Sequence, residues 1–302
     1  LINNWEHKNK KTPLGGLEID AIAISFSNFK KDNKFNHTDL INNLSKIIKE
    51  NKNKNINLIN FDGAIWNSIG ASLNEEIALM CLSFIEMLRN NIIDDESQIN
   101  FTISLDTDFF LNIAKIRSLR IIINNLYDHF GINPIFKING RTSDEIIFKE
   151  SPWVNQLRIT NAALSAAIAN IDRLTCHHIT NPLGQAPEFV RRLTRNTHII
   201  LQEESNIGKI QDAAGGSYYI ESITKSIADK SFDFIKYVEK NGGILSLLEN
   251  REFINKLSEN KTNKDKMLEE KNIKRIGVNL YPDKEIREIN IKPYEKINSY
   301  DK

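Results

Sequence analysis

From residue 56 onward, short apolar runs alternate with stretches of helical spacing, and this alternation constrains the fold more than any other property of the chain. "INLINFDG" (56–63) is an apolar run that ends in a polar loop. In "NEEIALMCLSFIEMLRNN" (74–91), Ile77, Met80, Cys81, Phe84 and Leu88 recur at three and four residues, one apolar helix face. "INFTISLDTD" (99–108) reads as the next strand, and its helix carries Phe109, Ile113, Ile116, Ile123, Leu126 and Phe130. "PIFKINGRTS" (134–143) is a third strand with Pro134 at its start, where the missing N–H is tolerated. A small-residue helix over 153–170 leads to a fourth strand, "DRLTCHHIT" (172–180), and "PEFVRRLTRNTHIILQEE" (187–204) returns to helical spacing. Before residue 56 the chain is rich in Lys and Asn, and only "IDAIAISF" (19–26) reads as a buried strand.

Strand alternating with helix predicts a parallel sheet with helices outside it, and leaves an open doubly wound sheet and a closed barrel both possible. Past residue 222, Ile223, Ile227, Phe234 and Val238 mark an amphipathic helix with Gly242 as its C-terminal cap. A charged helical stretch over 247–274 and a polar extended tail follow. The expected organisation is a polar segment over 1–55 with one or two strand–helix elements, a strand–helix body over 56–221, and C-terminal helices and tail over 222–302.

Forty basic residues stand against thirty-nine acidic, interspersed along the chain, which removes any electrostatic case for nucleic acid or an anionic membrane. No apolar run approaches the ~18 residues of a membrane span, and the first residues carry no secretory pattern. Two cysteines, Cys81 and Cys176, rule out a disulfide framework and fit a reducing compartment, taken as the cytoplasm. The chain starts at Leu1, so a fragment, a processed product or an incomplete record is expected.

In parallel α/β folds the loops at the carboxyl ends of the strands line the site. Here those are "WNSIGAS" (66–72), "DTD" (106–108), "GRTSDE" (140–145) and "TCHHITNPLGQ" (175–185), with "DAAGGSYY" (212–219) later. Cys176, His177 and His178 are the sharpest local candidate for a metal. Neighbours on one strand point to opposite faces and do not converge on one ion, so no metal site is expected. Asp144 and Glu145 as an acid/base pair, and the glycines of "DAAGGSYY" as a phosphate cradle, are weighed below their plain readings as solvated and close-packed loop residues.

Several segments are recognisable in order: "DGAIWNSIGAS", "TDFFLNIAKIRSLR", "LTRNTHIILQEESNIGKIQDAAGGSYYIESITKSIAD", "EKNGG" and "RIGVNLYPD". Together they resemble the methylmalonyl-CoA mutase family, densely from Asn57 to Gly243. The resemblance implies an eight-stranded (β/α)8 TIM-type barrel, here incomplete at its N-terminus, followed by C-terminal helices and a tail. It also implies a CoA ester along the barrel axis and, in active members, adenosylcobalamin held over the barrel top by a further domain. The reaction implied is a radical interconversion of methylmalonyl-CoA and succinyl-CoA, in which the cofactor carries the chemistry and the protein positions and shields.

Compared residue by residue, the site is altered. Thr175 stands where the family's active subunits have the histidine of a "SLHTN"-type segment, with His177 and His178 two and three residues later. Ala214 stands at the corrin-contact tryptophan of "DPWAGSYY", and Asn67 and Ser68 replace a His-Asn pair. Arg141 and Glu145 replace the glutamine and tryptophan of "QTSGW", and Lys137 lies near the position of the carboxylate-clamping arginine, whose bidentate fork an ammonium does not reproduce. Gly70, Ala71 and Gly216 keep their places in the loops at the barrel top. No Asp-x-His-x-x-Gly cobalt-ligand loop occurs in these residues, and no cobalamin-binding domain is expected in this chain.

The pattern is that of the family's small subunit, the catalytically silent partner in heterodimeric mutases. The expectation is therefore a chain that binds no cofactor itself and partners a cobalamin-bearing large subunit, with a vestigial acyl-CoA channel. The alternatives are an active barrel chain that uses His177 or His178 and borrows a cobalamin domain from another polypeptide, and a degenerate fragment with no assembly role.

Overall fold

A computed structural model describes residues 15–32, 37–51, 56–282 and 289–294. Five parallel strands form one sheet: β1 (Gly15–Ile19), β2 (Ile56–Asp62), β3 (Gln98–Leu105), β4 (Ile135–Thr142) and β5 (Arg173–Thr175). They are ordered β1-β2-β3-β4-β5, and every neighbouring pair is parallel. That order separates the two architectures left open by periodicity. Right-handed crossovers that always step the same way put their helices on one face, whereas a doubly wound sheet reverses direction and covers both. This is the winding of a TIM-type barrel wall. The five strands do not close into the expected eight-stranded ring among the described residues.

Ten α-helices accompany the strands among the described residues. They are α1 (Ala21–Asp32), α2 (His37–Asn51), α3 (Gly63–Ser68), α4 (Leu73–Arg89), α5 (Phe109–Phe130), α6 (Pro152–Ile168), α7 (Glu188–Ile199), α8 (Tyr218–Lys240), α9 (Gly243–Glu249) and α10 (Arg251–Glu269). Phe61, Phe101 and Phe136 point from the sheet toward the helices. They meet Phe84 of α4 and Tyr127 of α5 in a chain of tilted and edge-on rings 5.1 to 6.3 Å apart. Such pairs add to the burial of their area.

The single apolar face expected for α4 is too narrow. Ala78, Leu79 and Leu82 are as fully buried as Ile77 and Phe84. The reason is α8, which packs over both α4 and α5 and covers the side that would otherwise meet water. Phe130, at the end of the α5 face, remains 41% exposed. Asn241 caps α8 after Lys240, and Gly242 comes next with φ 99°, the left-handed conformation expected of a glycine stop.

Residues 19–26 are not a strand. The strand ends at Ile19, and Asp20 caps a helix by accepting the Ala23 N–H at 2.8 Å. Ile22, Ala23 and Phe26, three and four residues apart, are the residues that helix buries. The expected fourth strand is also shorter than "DRLTCHHIT". It stops at Thr175, because the His177 N–H goes to the Thr142 hydroxyl at 2.7 Å rather than into the ladder.

The face away from the helices is polar. Residues alternating with the aromatic row place Asn60 and Asp62, Asn100 and Thr102, Lys137, Asn139 and Arg141, and Arg173 and Thr175 there. Glu18 is re-aimed onto this face at a register shift in β1, where its φ is 48°. Its carboxylate accepts from Asn100 at 3.0 Å and Asn139 at 3.5 Å and pairs with Arg173 on β5. In a flat sheet β1 and β5 would lie roughly 19 Å apart at ~4.8 Å per strand, so the contact requires a strongly curled, concave wall.

Candidate functional site

The carboxyl ends of the strands form the candidate site. Asp62 ends β2 and caps α3, accepting the Ile65 N–H at 3.2 Å. Arg141 of β4 reaches over β3 and grips both Asp62 carboxylate oxygens, at 3.0 and 2.9 Å, the bidentate geometry of a strong guanidinium–carboxylate pair. Burial still leaves Asp62 above the usual carboxylate range, with the Arg141 charge opposing it. One strand over, Asp20 is 3% exposed and accepts the Asp62 N–H at 2.6 Å. Burial pushes its pKa up to about 7; its backbone hydrogen bonds pull the other way, and the neighbouring Asp62 charge adds to the rise.

Thr175 is in register with Arg141 at the end of β5, with its side chain exposed. Lys137 is also exposed but lies four residues earlier on β4, so Arg141 is the cation level with Thr175. His177 and His178 lie beyond the strand. His177 Nε2 is 3.3 Å from Asp144 Oδ1. Burial, aided by Arg141, holds its pKa below the ordinary histidine value against the pull of Asp144.

His178 Nδ1 lies 2.9 Å from the Thr180 hydroxyl and its Nε2 3.1 Å from the Tyr294 hydroxyl; burial, with His177 beside it, lowers this histidine too. Tyr294 donates to Asn181 Oδ1 at 3.1 Å, and Asn181 donates to Asp144 at 3.0 Å. The two histidines therefore belong to a polar chain that fastens the C-terminal tail to the β5 loop. Gly184 lets the tail approach: a Cβ there would lie 2.5 Å from the Lys292 carbonyl oxygen. Cys176 is a poor nucleophile, because burial pushes its thiol up to about 12. Among the described residues no three of His, Cys, Asp and Glu gather in a way that would hold a metal ion. Nor, among them, is any helix long and apolar enough to cross a membrane.

The other loop residues are committed to packing. Glu145 pairs with Lys264 and Asp144 with His177, so these two carboxylates do not converge as an acid/base pair. Gly70 lies beneath α10, its carbonyl accepting from Asn260 at 3.1 Å, and Ala71 is buried. Ala214 is 5% exposed, while Gly216 is open, with φ 79° and its N–H on Glu221 at 3.1 Å.

Sequence reading missed the Asp20–Asp62–Arg141 group and a buried pair beside it, Lys115 and Glu76. An acidic residue between an apolar run and a helical run, as in "IDA" and "FDG", is the signal for the two caps. Periodicity holds no signal for the ion pairs.

The methylmalonyl-CoA mutase family profile matches residues 31–301. The chain belongs to the methylmalonyl-CoA mutase family. It is 30% identical over 256 residues to the methylmalonyl-CoA mutase small subunit of Propionibacterium freudenreichii subsp. shermanii, covering 81% of this chain and 39% of that one. It is 32% identical to the small subunit of Streptomyces virginiae, over 62% of this chain and 32% of that one. To the methylmalonyl-CoA mutase of Escherichia coli (strain K12) it is 29% identical, over 64% of this chain and 28% of that one. The matched region thus spans about two fifths or less of the length of these mutase relatives.

Proposed function

We propose that this chain is a small-subunit-type, non-catalytic component of a methylmalonyl-CoA mutase. In this reading it acts in the cytoplasm, in a heterodimer with a cobalamin-bearing large subunit that interconverts methylmalonyl-CoA and succinyl-CoA. The observation that carries the proposal is the end of β5. Thr175, which offers a hydroxyl and no imidazole, stands level with an arginine already locked to Asp62. Neither residue supplies the imidazole that a thioester carbonyl would meet in an active barrel. The polar concave wall of Asn60, Asn100, Thr102 and Asn139 is consistent with a vestigial channel for the amide-bearing arm of an acyl-CoA.

For adenosylcobalamin the residues present do not fit the group. Ala214 is buried and offers no ring to a corrin face, and the loop at Gly70 lies under the Leu257 carbonyl. The chain's own part in the assembly is then structural: it presents a folded barrel wall to its partner, and the partner carries the cofactor.

Titration of the purified chain with adenosylcobalamin tests this. The expected result is an unchanged corrin spectrum at micromolar concentrations, and tight binding with a shifted spectrum would refute it. In a reconstituted complex, replacing His177 and His178 together by alanine is expected to leave turnover unchanged. Loss of turnover with the complex intact would favour the active-chain alternative instead.

A further inference from the structure

The last described helix, α10, crosses the carboxyl ends of β2, β3 and β4, and its inward stripe changes character along its length. At its start Phe253 and Leu257 are buried, and Phe253 packs against Phe234 of α8 with ring centroids 6.3 Å apart. From Asn260 onward no residue of α10 is buried, and apart from Met267 the groups facing the cleft are polar: Asn260, Lys261, Asn263 and Lys264.

These polar groups hold the loops one by one. Asn260 donates to the Gly70 carbonyl at 3.1 Å and Lys261 to the Ser68 carbonyl at 2.8 Å, while Lys256 in the first half pairs with Glu75 at 2.6 Å. Lys264 bridges Glu145 on the β4 loop and, at 3.8 Å, Asp106 on the β3 loop. Arg275 meets the same Asp106 at 3.6 Å just past the helix. Beneath this half lies a cleft of about 430 Å³ whose lining includes Asn67, Ser72, Ser104, Asp106, Asn112 and Lys261. Its size is in the ~300–1,000 Å³ range of small-ligand sites.

A helix held by apolar burial leaves its seat only with the core, whereas one held by exposed lysines is held weakly and in proportion to their Coulomb attraction. We propose that α10 is an ionically latched lid. Phe253 and Leu257 fix its start, the segment after it stays docked through Arg158 on the Ile276 carbonyl, and the half between them lifts from the β2–β4 loops to open the cleft to solvent and small polar solutes. Once lifted, the charged half from Asn260 to Glu269 is too short to stay helical on its own, and its amides exchange.

Hydrogen exchange on the full chain tests the lid. Between 0.1 M and 1 M NaCl the Debye length falls from ~10 to ~3 Å. Amides 260–269 are expected to exchange about tenfold faster at 1 M, the order expected when several weak, partly exposed ion pairs are screened together. Amides of α8, held by Ile227, Ile235 and Val238, should not respond. The double variant Lys261→Gln/Lys264→Gln should show the same acceleration at 0.1 M without added salt. Salt-independent protection of α10, or acceleration spread equally over α4, α5 and α8, would overturn the proposal.

Discussion

Replacing Lys115 by methionine is expected to lower the unfolding free energy by about 3–5 kcal/mol at pH 7, the cost of stranding one member of a buried pair. Lys115 and Glu76 have side chains 6% and 0% exposed. The ammonium has three donors, and all are used: on Glu76 at 2.6 Å, on the Ser104 carbonyl at 2.9 Å and on the Ser104 hydroxyl at 2.7 Å. Glu76 in turn accepts the Ser104 N–H and hydroxyl, both at 2.7 Å. This knot ties α4 and α5 to the end of β3.

Burial already holds Glu76 above the usual carboxylate range, with Lys115 the main opposing charge. Without Lys115 the carboxyl's folded pKa rises further. The variant should therefore be least impaired in acid and lose stability as the pH rises through that value. Lys115→Met combined with Glu76→Gln should recover most of the loss, because a pair removed as a unit leaves no orphan charge. Urea midpoints at pH 5 and 7 for the wild type, both single variants and the double variant decide the matter. A single-variant cost under about 1 kcal/mol, or no recovery in the double variant, would contradict it.

Asp20→Asn is expected to flatten the dependence of stability on pH. The Asp20 carboxyl titrates at about 7 in the fold against an ordinary value of 3.8. A raised folded pKa means that the native state holds this proton more tightly than the unfolded chain. The contribution is therefore complete below about pH 3.8 and is lost as pH rises through about 7. At ~1.4 kcal/mol per unit the loss is on the order of 4 kcal/mol across that span. Asparagine has no proton to lose and keeps one oxygen to accept the Ala23 or Asp62 N–H. Thermal midpoints between pH 5 and 8 should fall less steeply for the variant than for the wild type. Parallel curves would show that Asp20 does not titrate there.

Much of the wall is legible in the sequence, because β2, β3, β4, α4 and α5 are long and strongly periodic. The failures have local causes. In "GGLEIDAIAISF" two glycines obscure a real strand, while a run of Ile and Ala mimics one. A short, mostly apolar run does not separate a buried strand from a helix that buries Ile22, Ala23 and Phe26. The strand through "DRLTCHHIT" was overextended because a hydroxyl 35 residues away, on Thr142, takes the N–H that would have continued it. At the site, Thr175, Lys137 and Ala214 were named through family resemblance. Asp62–Arg141 and Glu76–Lys115 join positions 79 and 39 residues apart, and nothing in one sequence's spacing announces such partners.

Glu18 has a consequence beyond its hydrogen bonds. It belongs to the first strand of the described sheet yet grips Arg173 of the fifth, with Asn100 and Asn139 taken up on the way. A carboxylate so placed acts as a bowstring across an arch. Flattening the sheet must stretch it, and cutting it should let the two outer strands spread while every ladder between neighbours stays whole. The radius of the wall, and with it the width of whatever passes along its hollow side, is thus held from first strand to fifth by Glu18 and from second to fourth by the Arg141–Asp62 pair.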